Sequence, residues 1–165
     1  DEAYEALTLV QTGKTSVIPI VMVEGVGGDY WRQWLRWTRE GLLAKGFISA
    51  EDENLFYIAK DPADAAAHIA RFYRNFHSCR YVRDDFVIRL RAPLRDEDVA
   101  RLADEFAVLI KEGTLKQRGP LESEDDFLEL PRLVFHHTKH KFGLMRKLVD
   151  RVNDCDPLPP SHGRN

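Results

Sequence analysis

Val17-Ile18-Pro19-Ile20-Val21-Met22-Val23, followed at once by Glu24-Gly25-Val26-Gly27-Gly28, is the stretch on which the fold turns. A continuous apolar and largely β-branched run reads as a strand covered on both faces in a parallel sheet, and Pro19 near its start is compatible with that. The glycines after it make a loop. Upstream, Ala3, Ala6, Leu7 and Val10 fall at helical spacing, and Gly13 is placed to end that helix in a left-handed conformation. Downstream, Trp31, Trp34, Leu35, Thr38 and Leu42 trace one face of a second helix, with Lys45 in its last turn and Gly46 just past it. Ser49-Ala50-Glu51-Asp52 resembles a capping box opening a short turn, and Leu55-Phe56-Tyr57-Ile58 reads as a further strand. Asp61-Pro62 then supplies an N-cap and a first-position proline, with Ala65, Ile69, Phe72 and Phe76 as a core stripe. Helix, strand, helix, strand, helix is the alternation of a parallel α/β sheet.

Beyond Phe76 the pattern changes. Phe86, Ile88 and Leu90 alternate with Val87, Arg89 and Arg91, as in a strand with one buried face. Val99, Leu102, Ala103, Phe106, Leu109 and Ile110 make an amphipathic helix expected to end at Gly113. Strands are expected around Leu115-Lys116-Gln117 and Leu133-Val134-Phe135, separated by the acidic loop from Glu122 to Asp126. A last helix carries Met145, Leu148, Val149 and Val152. The expected fold class is therefore α/β, a parallel sheet with flanking helices plus a small β-α-β-β-α C-terminal appendage. Residues 155–165, rich in proline and without apolar period, are expected to be a disordered tail.

The composition bounds the function. A chain of 165 residues with 44% hydrophobic and 31% charged side chains can bury a core, and it suits one domain or one compact unit with an appendage. The formal net charge of -3 argues against a general nucleic-acid binder. Cys79 and Cys155 form neither a disulfide framework nor a zinc pair, which fits a reducing cytoplasm. No apolar run approaches the roughly 18 to 20 residues of a membrane-spanning helix, and no signal-peptide pattern is present.

No self-sufficient catalytic constellation is apparent: there is no G-x-S-x-G, no glycine-rich phosphate loop opening a helix and no H-E-x-x-H. A resemblance accounts for this. The run from Asp1-Glu2-Ala3-Tyr4-Glu5-Ala6-Leu7 to Thr12-Gly13-Lys14, continued by Ile18 to Val23, resembles the segment directly after P-G-G-x-G-T in the Lonely Guy (LOG) family, also labelled lysine decarboxylase-like. Glu2 matches the last residue of the full motif, P-G-G-x-G-T-x-x-E, and Asp1 is no initiator Met, so the chain reads as starting inside that motif. The likeness continues through Gly28-Asp29-Tyr30-Trp31, the tryptophan-rich helix and Gly46-Phe47-Ile48-Ser49 to about Arg74. Arg71 to Ser78, Arg80 to Asp85 and Arg132 to Thr138 are similar to the extension of a longer bacterial branch. On this resemblance residues 1–76 are the C-terminal half of a Rossmann-like nucleotide-binding core, and 77–154 an α+β extension.

The resemblance implies a phosphoribohydrolase that cleaves the N-glycosidic bond of AMP-like or cytokinin-like nucleoside 5'-monophosphates, giving base and ribose 5-phosphate. It implies Glu2 as the carboxylate beside the ribose, where charge develops as in other glycoside hydrolysis. It further implies a cytoplasmic homodimer that needs no metal or organic cofactor, and no membrane or nucleic-acid partner. As an isolated fragment the chain is expected to be inactive. A non-catalytic nucleotide-binding or regulatory Rossmann-fold protein is the alternative.

Other residues admit two readings. By spacing alone Glu2 is a first-turn glutamate complementing the helix dipole. Glu5, one turn on, faces either the substrate pocket or water. His136, His137 and His140 could suggest a metal, but a strand running into a loop fixes no ligand directions, and hydrogen-bonding roles are the commoner explanation. Arg80, Arg83, Arg89 and Arg91 could hold an anionic effector; a solvated strand edge paired with Asp84 and Asp85 is preferred. Tyr30, Trp31, Trp34 and Trp37 span more than one helix face, which suggests core plus an interface.

Overall fold

The computed structural model describes residues 1–158 and divides the chain into two units, Asp1–Arg71 with Lys141–Lys147, and Phe72–His140 with the residues from Leu148 onward. The chain is α/β, with a parallel two-stranded sheet in the first unit, an antiparallel four-stranded sheet in the second, and flanking helices.

In the first unit, α1 (Glu2–Gln11) stops where Gly13 takes φ +68°, as its pattern predicts. Gly13 is also fixed by space, since a Cβ there would lie 2.2 Å from Phe142 Cζ. The next strand, β1 (Ile20–Val23), pairs in parallel with β2 (Phe56–Ala59), from Ile20 opposite Phe56 to Val23 opposite Ala59. The expectation of a strand from Val17 covered on both faces is corrected. It begins only after Pro19, which has no N–H for a ladder; Met22 is its only buried residue, and Ile18 and Val23 are 42% and 39% exposed. Among the described residues this sheet has two strands, too few to enclose an apolar ribbon from both sides.

Between the strands, α2 (Tyr30–Thr38) widens into a π turn at Arg39–Leu43, and a 3-10 turn at Ala50–Leu55 leads into β2. The Asp52 carboxylate accepts the Ser49 N–H at 2.9 Å, as the capping-box reading expects. After β2, α3 (Pro62–Phe72) is capped by Asp61, whose Oδ1 accepts the Asp64 N–H at 2.8 Å. The expected stripe is corrected here as well: Ile69 is 41% exposed, and Phe76 lies beyond the helix in a strand. Asn153 supplies the reason. Its carboxamide oxygen accepts the N–H groups of Asn75 and Phe76 at 2.8 and 2.9 Å, and its NH2 donates to the Phe72 carbonyl at 2.5 Å, offering the backbone an alternative to further helical bonds.

The second unit contains β3 (Phe76–Val82), β4 (Asp85–Leu90), α4 (Asp96–Glu105), β5 (Ile110–Arg118), β6 (Arg132–His137) and the later turns of α5 (Phe142–Asp154). The sheet order is β3-β4-β6-β5, antiparallel throughout. Strand β3 is one more than the sequence pattern announces. Its register shifts between Phe76 and Ser78, which breaks the two-residue alternation that reveals a strand. The helix expected to run to Gly113 ends at Glu105, and Gly113, at φ +74°, sits in an irregular part of β5.

The one-sided burial expected of β4 is also overturned. Val87 and Arg89 are buried along with Phe86, Ile88 and Leu90. Arg89 is no solvated edge residue: its guanidinium meets Glu124 at 2.8 Å and also Asp126, rather than Asp84 or Asp85. Arg132, fully buried on β6, meets the same Glu124 at 3.1 Å, so the acidic loop is drawn onto the sheet by two internal cations. Of the expected tail, Cys155 is buried and the Leu158 N–H donates to the Pro93 carbonyl at 2.8 Å, while residues 159–165 lie outside the described residues.

Candidate functional site

In parallel α/β folds the crevice at the carboxyl ends of the strands is where ligands bind, because the loops there are free of the ladder. That end of the first unit can be located from its contacts. Gln11, at the end of α1, donates to Asp52 at 2.7 Å, beside the turn that leads into β2. The C-terminus of α1 therefore lies at the amino end of the strands and its N-terminus, with Glu2, points toward the carboxyl end. Helices α2 and α3 follow β1 and β2 directly, so their N-termini face that end too.

The three helix starts differ chemically. At α3, Asp61 accepts the Asp64 N–H, and Asp64 accepts the Lys60 N–H at 3.1 Å and the Tyr57 hydroxyl at 3.2 Å. Tyr57 stacks on His68 at 4.0 Å, and burial together with Asp64 pushes its hydroxyl pKa up. At α2, Asp29 makes no capping bond, and its carboxylate instead takes the Gln33 amide at 2.7 Å. Glu24 fills the place: its Oε1 accepts the Arg32 N–H at 3.1 Å. Glu24 is only 8% exposed, and its own N–H extends the pairing of β1 and β2 by donating to the Ala59 carbonyl at 3.1 Å. The loop after it turns tightly, with the Gly28 N–H on the Gly25 carbonyl at 2.9 Å and Gly27 at φ +70°, a position that favours glycine. At α1, Asp1 makes no side-chain cap, and Glu2 and Glu5 are exposed, Glu2 with its side chain 99% accessible. Two of the three helix N-termini thus hold a carboxylate bonded to a first-turn N–H, while α1 carries Glu2 and Glu5 in its first turn without a side-chain cap.

On the flank of the same unit a cavity of about 250 Å³ separates α1 from α2, lined by Tyr4, Leu7, Trp34, Leu42, Phe47 and Leu55. Tyr4 bonds Thr38 at 3.2 Å and packs on Trp34 with ring centroids 5.4 Å apart. The aromatic cluster is accordingly divided: Trp31 and Trp34 are half-buried, whereas Tyr30 and Trp37 are 69% and 56% exposed.

The histidines of the second unit carry hydrogen bonds. His136 meets Glu112 at 2.9 Å. His137 is buried; its Nε2 donates to the His140 carbonyl at 3.1 Å, so Nδ1 must accept from the Tyr81 hydroxyl. Burial lowers the His137 pKa from 6.5 to about 4 and raises that of Tyr81 to about 12. Between those two histidine values the unfolded chain binds a proton that the folded chain does not, so stability falls as pH drops from 6.5 toward 4. Equilibrium urea unfolding across that range is expected to show this loss, on the order of 3 kcal/mol at about 1.36 kcal/mol per unit. In His137→Phe the slope should flatten; an unchanged slope would assign it to other groups.

Sequence reasoning missed Glu24, Asp64 and the buried Glu124. Only Glu24 had a usable signal, a carboxylate between a strand and a glycine loop that opens a helix.

Residues 1–69 match the family model described as possible lysine decarboxylase. The matched stretch runs from α1 through most of α3, so it contains Glu2, Glu5, Glu24 and both parallel strands, and it supports the family resemblance seen in the sequence. No curated protein and no solved structure matches the chain. No helix of the described residues is long and apolar enough to cross a membrane.

Proposed function

We propose that this chain carries part of a LOG-type nucleoside 5'-monophosphate phosphoribohydrolase, with Glu2 beside the ribose. The observation that carries the proposal is the family match over residues 1–69, within which Glu2 stands in the uncapped first turn of α1. In the proposed reaction the C1'–N bond of an AMP-like or cytokinin-like nucleotide breaks and its electron pair leaves with the base. Water adds its hydroxyl to C1', and its proton goes to the base. Positive charge grows on the ribose as the bond lengthens, and an ionised carboxylate nearby lowers the energy of that state. The 5'-phosphate is proposed to rest at the N-terminal end of α1, where the helix dipole favours an anion. Glu5 would line the same site one turn on.

A homodimer is part of the proposal, with the exposed rings of Tyr30, Trp37 and Phe47 as the covered surface. So is a reducing cytoplasm, in keeping with the burial of Cys79 and Cys155.

The test is a turnover assay on the protein expressed from its complete reading frame. AMP or a cytokinin nucleotide is expected to yield free base and ribose 5-phosphate in equal amounts. Glu2→Gln should lower kcat by about 100-fold or more with little change in KM, the pattern of a group acting in the transition state. Binding without turnover would favour a regulatory nucleotide-binding protein instead. Carbon dioxide released from lysine would overturn the reaction proposed.

A further inference from the structure

Glu24 holds a carboxylate in a place where helix geometry would welcome a phosphate. Its residue is more than nine-tenths buried, at the carboxyl end of β1 and between the two parallel strands and α2. Oε1 is committed to the Arg32 N–H. Oε2 lies beside the glycine loop, 3.6 Å from where a Gly28 Cβ would be, and among the described residues it has no hydrogen-bond partner. Nor is it sealed from water, since it is not among the fully buried unsatisfied atoms. A nearly buried carboxylate with one oxygen fixed by backbone and the other unpartnered beside the glycine loop that follows β1 is a directed acceptor.

We infer that Glu24 contacts the substrate, its Oε2 accepting a hydrogen bond from an uncharged donor of the nucleotide, either a ribose hydroxyl or an amine of the base. The inference rests on the reading that this edge binds a nucleoside monophosphate. Charge decides which end of the ligand it meets. On that reading the phosphate lies at the head of α1; the Glu24 carboxylate at the start of α2 and those of Asp61 and Asp64 at α3 disfavour it there, so the neutral part of the nucleotide extends toward Glu24. Gly28 suits this role. A side chain there would press on the Gly25 carbonyl at 3.3 Å and crowd the open oxygen.

Calorimetric titration of the protein expressed from its complete reading frame with AMP, IMP, 2'-deoxy-AMP, ribose 5-phosphate and inorganic phosphate tests this, comparing wild type with Glu24→Gln. Glutamine can keep the bond to the Arg32 N–H through its single oxygen but then presents an NH2 where a second acceptor is needed, so the variant should melt close to wild type. AMP affinity is expected to fall about tenfold or more in the variant. The loss should vanish for the one analogue that lacks the contacted donor, IMP for the base amine or 2'-deoxy-AMP for the ribose hydroxyl, while phosphate binding stays unchanged. Equal affinity of wild type and variant for AMP would overturn the inference and leave the nucleotide reading standing, as would equal losses for every ligand, phosphate included. Failure of wild type to bind any of the nucleotides would overturn both.

Discussion

Glu124→Leu is expected to lower the melting temperature by more than about 10 °C, the larger of the two strongest effects foreseen. Glu124 has a side chain with no solvent exposure, and it is the shared acceptor for Arg89 and Arg132, whose own side chains are 4% and 0% exposed. Burial alone would push its carboxyl pKa up, but the Leu121 N–H and the two guanidiniums outweigh burial and hold it at about 2. Removing the carboxylate leaves two buried cations short of their counter-charge, and breaking a buried pair in this way costs about 3 to 5 kcal/mol. For a unit of this size each kcal/mol moves the midpoint by roughly 4 to 8 °C. Asp126 also meets Arg89 and would soften the loss for that residue, but Arg132 has no second carboxylate among the described residues and keeps only carbonyl partners such as Phe127 and Leu130. Replacing all three, Glu124→Leu with Arg89→Met and Arg132→Met, should recover much of the stability, because an apolar trio removes the stranded charges. The folded pKa is depressed, so the contribution of Glu124 is complete above 4.5 and is lost as pH falls through about 2. That lies below the window assigned to His137, and urea titrations at closely spaced pH values should separate the two. A melting point unchanged in Glu124→Leu would show that the acidic loop does not anchor the sheet.

Gly143→Ala is expected to destabilise the first unit by about 3 kcal/mol or more, measured by urea unfolding. Alanine is ordinarily the better helix former, so an exposed helical glycine would gain from this change. Gly143 departs from that rule because an added Cβ would lie 2.1 Å from the Glu51 carbonyl oxygen and 2.4 Å from its carbon. Those atoms are backbone and cannot swing aside, so either the start of α5 or the turn at Ala50–Leu55 must move. Gly119→Ala serves as the control, since nothing lies within 4 Å of its added carbon, and it should change stability by less than about 0.5 kcal/mol. Equal effects of the two substitutions would mean that the close approach at Gly143 relaxes without cost.

Much of the α/β order was legible because it rests on short-range rules. The period of Ala3, Ala6, Leu7 and Val10 with the stop at Gly13 depends only on neighbours along the chain, as do the Asp61-Pro62 start and the Ser49–Asp52 cap. The place of Glu2 at the head of α1 was readable for the same reason, and the family match begins there. At the end of α3 the structure departs from this pattern because a distant residue intervenes. Phe76 leaves its helix because Asn153, far along the chain, takes the backbone N–H groups of Asn75 and Phe76.

Charge was the hardest property to place. Arg89, Glu124 and Glu24 are residue types that mostly stay in water, and each is buried here because a partner compensates for lost hydration. For Arg89 and Glu124 that partner comes from another strand or loop, 35 positions away in sequence, and no local pattern encodes the meeting. For Glu24 it is the first turn of α2, brought round by the glycine loop. The amino-acid sequence by itself determined the helices, the parallel strands and the family likeness, since these depend on periodicity and on contiguous residues. Tertiary structure alone decided which carboxylates are solvated and which are anchored inside, because those outcomes depend on what the folded chain places opposite each charge.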